Sequence, residues 1–232
     1  MKKATVLEQV TTPDGSSQAL VERDGHYMIW VNGRELMSTR HAFSEEQLGV
    51  VGCQQLAKVR GARVLIGGLG LGFTLRAALS TLGRDARVVV AELMPEVVEW
   101  NRKLEYPLAH AALADRRTEI VLGDVADVIA RNTGHFDAIL LDADNETTAM
   151  NTRGNSSLYR AAGLANVVRA LKPNGSVVYW SAGDDPALVK RLAQAGFVVE
   201  ARRVGRHASG EQRRSGGYHV LISGRRLAPA SR

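Results

Sequence analysis

The sequence predicts an α/β fold built on one mostly parallel sheet, and three observations carry that expectation. Short apolar runs, VLI at 64–66, VVVA at 88–91 and AILL at 138–141, recur between segments of helical periodicity. They are continuous rather than alternating, as strands are when helices cover both faces of a sheet. A glycine-rich turn, with Gly67, Gly68, Gly70 and Gly72, joins the first of these strands to its helix. Acids stand at the ends of the strands that follow: Glu92, Asp124, and the pair Asp142 and Asp144. Open α/β sheets bind ligands at that carboxyl rim.

The elements follow in order. TVLEQV (5–10), SQALVER (17–23) and YMIWV (27–31) read as short strands, punctuated by the turns PDG, RDG and VNG. SEEQLGVVGCQQLAKVR (44–60) reads as a helix with Ser44 as N-cap and Gln47 at the capping-box position. Strand and helix then alternate: ARVLIG and FTLRAALSTL, ARVVVAEL and PEVVEWNRKL, TEIVLGD and VADVIARN. FDAILLD is a strand, SSLYRAAGLANVVRAL (156–171) a helix closed by KPNG, SVVYWS a strand and DPALVKRLAQAG a helix. FVVEARRVG and GYHVLISG form a closing hairpin, which brings the strand count of the main sheet to seven. The expected organisation is an N-terminal β-strand subdomain over 1–43, a nucleotide-binding domain over 44–225 and a basic tail over 226–232.

Bulk properties narrow the function. The 232 residues are 45% hydrophobic, enough for a sizeable core, and hold no apolar run of membrane-spanning length. MKKATVLEQV lacks an apolar signal-peptide core, so a cytoplasmic protein is expected. The lone Cys53 excludes an internal disulfide and a cysteine zinc site, and sits in an apolar helical pattern as a core residue. The six histidines show no metal spacing, and no metal is expected; His207, at the start of the loop 206–217, and His219, just after it, read as surface residues. The net charge of +6 is concentrated after residue 200, where eight arginines face the single acid Glu211. That segment reads as a solvated face, with a non-catalytic nucleic-acid-binding protein using the basic hairpin as the alternative.

Gly68, Gly70 and Gly72 form G-x-G-x-G. Such a turn lets backbone approach a ligand and presents the N–H groups of a helix start. A dinucleotide-binding G-x-G-x-x-G would require glycine at Phe73, which counts against a nicotinamide oxidoreductase. Glu92 lies twenty residues beyond Gly72, where an acid accepts hydrogen bonds from ribose hydroxyls. Asp124 stands where a carboxylate faces an adenine amino group.

The run VLIGGLGLGFTLRAAL, VVVAEL, IVLGDV, FDAILLDADN, LYRAAGL, ALKPNGSVVYWS resembles the spermidine synthase-like branch of the class I S-adenosylmethionine-dependent methyltransferase fold, and the resemblance covers nearly the whole chain. It implies a seven-stranded, doubly wound, Rossmann-like fold with a small N-terminal β extension, and a homodimer joined through the N-terminal strands. It implies that Gly68, Gly70, Gly72, Glu92, Asp124 and Asp142 bind S-adenosylmethionine or its decarboxylated form as co-substrate. Asp142 matches the first aspartate of the D-x-x-D loop, which takes the proton of the attacking amine.

Departures from the resemblance are specific. Leu71 replaces the aspartate that holds the aminopropyl amine in aminopropyltransferases, and Leu36 replaces a glutamine. His41, Ala42, Phe43, Ser44, Glu45 and Glu46 stand in place of D-E-x-x-Y-H-E, and Asn145 takes the second aspartate of D-x-x-D. Ile66 replaces the acid that opens the glycine motif of many methyltransferases, which makes Asp144 the candidate partner of the donor's amine. Asp142, Asp144 and Tyr159 are the expected catalytic residues; Asn145, Trp180 and Ser181 are expected to line the substrate pocket, and residues 142–157 to form a lid. The expected activity is transfer of an alkyl group from the adenosyl donor to a small-molecule nucleophile. Methyl transfer, aminopropyl transfer and chemistry on the amino-carboxypropyl arm all remain open.

Overall fold

A computed structural model describes residues 3–12, 15–142, 158–205 and 217–228. The N-terminal strands β1 (Thr5–Thr11), β2 (Ser17–Arg23), β3 (His26–Val31) and β4 (Arg34–Ser38) form an antiparallel meander. Asp24-Gly25 and Asn32-Gly33 are its two-residue turns, all four residues having positive φ, the geometry that matches the twist of a tight hairpin. The fourth strand is one the sequence pattern passes over; the Asn-Gly turn folds it back on β3.

The larger sheet has seven strands in the order β10-β11-β9-β8-β5-β6-β7. β5 (Arg63–Gly67), β6 (Arg87–Glu92), β7 (Thr118–Leu122), β8 (Phe136–Leu141) and β9 (Leu171–Ser181) are parallel. β10 (Phe197–Gly205) and β11 (Tyr218–Arg226) add an antiparallel hairpin to one edge. Alternate residues of each strand feed two cores. Val64 and Ile66 pack with Leu48 of α1 (Phe43–Cys53), Leu75 and Ala78 of α2 (Phe73–Thr81), Val97 of α3 (Pro95–Arg102) and Ala112 of α4 (His110–Leu113). Leu65 faces the other way, toward Ile129 of α5 (Val125–Arg131), Val167 of α6 (Ala161–Ala170) and Leu188 of α7 (Pro186–Gln194). This is the doubly wound, seven-stranded arrangement expected.

Several local expectations are corrected. Helix α1 begins at Phe43 with Ala42 at its cap position, so Ser44 is inside the first turn and caps nothing. The helix ends at Cys53 and tightens into a 3₁₀ turn at Gln54–Leu56 instead of running to Arg60. KPNG falls within β9, where Asn174 is left-handed and the pairing with β8 slips between Phe136 and Ala138. Helix α6 starts at Ala161, after Tyr159. The proposed lid and the basic loop lie largely outside the described residues, at 143–157 and 206–216. Among the described residues no helix is long and apolar enough to cross a membrane.

Glycines inside α1 set its distance from its neighbours. A Cβ on Gly49 would lie 2.6 Å from the Thr74 carbonyl and from Ala77 Cβ, so α1 rests directly on α2. β1 is tied to the segment between α3 and α4: Glu8 pairs with Lys103 and accepts a hydrogen bond from the Tyr106 hydroxyl at 3.0 Å. A second polar brace closes α2. Arg117 binds the Asp115 carboxylate through two nitrogens, at 3.0 and 2.8 Å, and donates to the carbonyls of Leu79, Leu82 and Gly83. The Leu79 carbonyl lies in the last turn of α2, and those of Leu82 and Gly83 just past it, where carbonyls lack partners within the helix.

The Arg117 guanidinium and backbone N–H hold the Asp115 carboxyl at about 2. Its folded pKa is depressed, so the associated stability is present above its ordinary pKa and is lost as pH falls through the folded one. Asp115→Asn should cost about 1–2 kcal/mol at neutral pH, and the gap from wild type should close as pH falls toward about 2. Urea unfolding at a series of pH values measures both.

Candidate active site

The glycine turn sits where β5 meets α2. Gly68 N–H bonds to the Ala91 carbonyl at 2.8 Å, and Gly72 N–H to the Leu69 carbonyl at 2.8 Å. The three glycines of the motif do different work. A Cβ on Gly72 would lie 2.2 Å from Ala109 Cβ, and one on Gly70 would lie 2.7 Å from Met37 Sδ. These two positions are crowded by protein. Among the described residues a Cβ on Gly68 meets only the Asp142 carbonyl, at 3.8 Å, so they leave the floor of the turn open at that residue.

Glu92 ends β6 and is 7% exposed. Its Oε2 accepts the Leu69 N–H at 2.8 Å and its Oε1 the Met94 N–H at 2.9 Å. Burial raises its pKa, and the backbone amides beside it, those of Met94 and Leu69 foremost, draw it back. Each carboxylate oxygen has two acceptor sites, so Glu92 can fix the turn and still receive ligand hydroxyls. Asp124 is the N-cap of α5, its Oδ1 accepting the Ala126 N–H at 2.8 Å. It stands one residue past Gly123, whose N–H bonds to the Glu92 carbonyl at 2.8 Å, so the two acids occupy neighbouring strand ends.

Asp142 follows β8 and is half-buried, with its N–H 3.4 Å from the Gly67 carbonyl. Gly67 is in register with Leu141, and Leu141 with Tyr179. Asp142 therefore stands between the glycine turn on one side and Trp180 and Ser181 on the other. Trp180 is 9% exposed, and its Nε1 is buried with no acceptor among the described residues. The Ser181 hydroxyl donates to the Gly183 carbonyl at 2.8 Å. Tyr159 packs against Tyr179, ring centroids 5.3 Å apart, in the core on the α5–α6 face. Asp144 and Asn145 lie outside the described residues. Leu71 is 1% exposed and Ile66 fully buried, so neither departure from the expected motif leaves a polar group at the turn. Among the described residues no three His, Cys, Asp or Glu side chains gather as a metal site.

Residues that local patterns did not single out complete the site. Asn101 is buried on the face of α3 that carries Val97 and Trp100. Its amide donates to the carbonyls of Gly70 and Val97, both at 2.8 Å, and its Oδ1 accepts the Ala109 N–H at 3.2 Å. A lone amide on an otherwise apolar helix face was the available signal. Met37 of β4 covers Gly70 and brings the N-terminal sheet to the turn. His219 is corrected: it is half-buried rather than a surface residue. β11 pairs Leu221 with Trp180, which brings the His219 ring to 4.5 Å from that of Trp180 and its Nδ1 to 2.8 Å from Ser44 Oγ.

Gly72→Ala should cost about 2–4 kcal/mol of stability, because left-handed strain adds to collision with Ala109. Gly68→Ala, with strain but no collision, should cost about 1 kcal/mol. Urea denaturation of both variants checks the order.

No protein-family model matches the chain. Two solved spermidine synthases share its fold. One, in complex with the transition state analogue AdoDATO, superposes with a TM-score of 0.71 at 19% identity, over 97% of this chain and 73% of that one. The other, from Thermotoga maritima, gives 0.72 at 19% identity over 97% and 74%. Similar curated sequences are putrescine N-methyltransferases 3 and 1 of Nicotiana tabacum, each 33% identical over 116 residues. The matched stretch is 50% of this chain and 29% of theirs. The fold is thus the spermidine synthase-like form of the class I methyltransferase fold.

Proposed function

We propose that this chain transfers a methyl group from S-adenosylmethionine to an amine of a small molecule. The observation that carries the donor is the convergence of the open floor at Gly68, the buried carboxylate of Glu92 and the half-buried Asp142 on one sheet edge. These residues fit an adenosyl sulfonium: Glu92 would receive the ribose hydroxyls, Asp124 would face the base, and the turn would hold the methionine end. Methyl rather than aminopropyl transfer is favoured by Leu71, whose buried side chain leaves no acid there for an aminopropyl ammonium. The sequence similarity to enzymes named putrescine N-methyltransferase supports the same choice, and an amine as acceptor.

When bound, the donor supplies an electrophilic methyl carbon on sulfur. The chain's task is then alignment and proton removal. Asp142, beside the turn, accepts a proton from the amine as its nitrogen bonds to carbon. Trp180 walls the far side and excludes water.

Asp142→Asn should lower kcat by about 10²–10³-fold and leave donor affinity within about twofold, read by steady-state kinetics and calorimetry. Side-by-side titration with S-adenosylmethionine and its decarboxylated form should show tighter binding of the intact donor; the reverse order would establish aminopropyl transfer instead.

Donor binding should also be linked to pH. Burial favours protonated Glu92 in the free chain, whereas ribose hydroxyls favour the carboxylate. Affinity should therefore rise with pH above the ordinary carboxylate value of 4.5 and level off once Glu92 is ionised in the free chain. Calorimetry in buffers of differing ionisation enthalpy should show proton release on the rising part of that curve.

A further inference from the structure

Glu45 is a buried acid in the first turn of α1, 7% exposed. Burial is the main influence on its carboxyl and pushes its pKa up; neighbouring Glu46 adds to the rise, and hydrogen bonds from Ser44 and the backbone oppose it. The Ser44 hydroxyl, itself fully buried, donates to Glu45 Oε2 at 2.5 Å and lies 2.8 Å from His219 Nδ1. A serine hydroxyl carries one proton. While that proton sits on the Glu45 bond, Ser44 Oγ accepts from His219 Nδ1–H. If Glu45 is protonated, both bonds run the other way and Nδ1 becomes the acceptor. Passing between the two states moves one proton from His219 to Ser44 and one from Ser44 to Glu45, as a third arrives at His219 Nε2. The net result is one proton stored on Glu45 with no isolated charge left in the interior.

His219 links the trio to the rim where ligands are expected. The His219 ring packs against Trp180, and Trp180 follows the β9 residue paired with the one before Asp142. The buried Nε1 of Trp180, which has no acceptor among the described residues, is a donor at the same wall. Among the described residues, charges near these three include Glu46 on α1, Arg76 on α2, which senses Glu46, and the exposed group of Asp184, Arg203 and Tyr218 next to the hairpin.

An amine that arrives as ammonium and leaves as a neutral alkylated amine sheds two protons, and Asp142 holds one. We infer that Glu45, Ser44 and His219 form a proton relay on the acceptor side of the site, which takes the first proton before attack. The inference rests on the transferase reading for its place in the reaction. An ammonium N–H bond breaks, its electron pair stays on nitrogen, and the proton reaches Glu45 through His219 and Ser44. The free amine then bonds to the methyl carbon as the carbon–sulfur bond breaks with its pair on sulfur, and Asp142 takes the second proton.

The test uses the full chain labelled with ¹⁵N-histidine, in wild type, Ser44→Ala and Glu45→Gln. The ring nitrogens of His219 should show the proton on Nδ1 in wild type and on Nε2 in both variants. With putrescine as probe acceptor, both variants should slow methyl transfer at least about tenfold and leave S-adenosylmethionine affinity unchanged. An identical His219 tautomer in all three proteins overturns the relay, as does a changed tautomer with an unchanged transfer rate. If wild type binds the donor without methylating putrescine, the tautomer decides alone. If the tautomer responds but wild type does not bind S-adenosylmethionine, the transferase reading falls and the coupled trio stands.

Discussion

The Glu92 carboxylate is the interaction on which the site depends. Its two oxygens take amide protons from Leu69, in the glycine turn, and Met94, at the start of α3. One acid thereby ties the end of β6 to the turn after β5 and to the next helix. Each bond is charge-assisted in a nearly dry setting, where such bonds are strong and their loss is costly. Asn101 repeats the theme from the far end of α3, binding the Gly70 carbonyl and the Ala109 amide. Between them, these two side chains hold the turn from both sides, so that its backbone, rather than any side chain, forms the floor at Gly68.

The architecture was legible in sequence wherever it is written locally. Continuous apolar runs marked three of the five parallel strands, and the alternation with helices gave the other two and the two-faced sheet. Glu92, Asp124 and Asp142 were legible because strand ends fall together on one rim whatever the strand order. Features that depend on which strand lies beside which were not. Ser44 with Gln47 has the form of a capping box, yet the hydroxyl serves His219, 175 residues away. His219 flanks a basic loop, and only the register of β11 on β9 shows that its ring meets Trp180. Met37 belongs to a strand that pattern alone does not reveal, and its place over Gly70 follows from the docking of one sheet against another. Tyr159, at the head of a helix, could face pocket or core by sequence, and packing against Tyr179 places its ring in the core.

Three distant parts of the chain wall the site. The N-terminal meander contributes Met37, the parallel sheet contributes the turn and the acids, and the edge hairpin contributes His219 against Trp180. The glycines of α1 matter here as spacers, because a helix held farther from α2 would carry Ser44 and Glu45 away from the hairpin.

The strand order has a consequence for how the chain is made. β5 pairs on one side with β6, which follows closely, but on the other with β8, whose partner of Val64 is Ala138. Synthesis delivers β5, β6 and β7 first. Until β8 emerges, β5 presents an open apolar edge able to template pairing with another chain. Ribosome pausing or premature termination before residue 136 would therefore leave an aggregation-prone fragment, and slow docking of β8 is the step at which a chaperone would have most to protect.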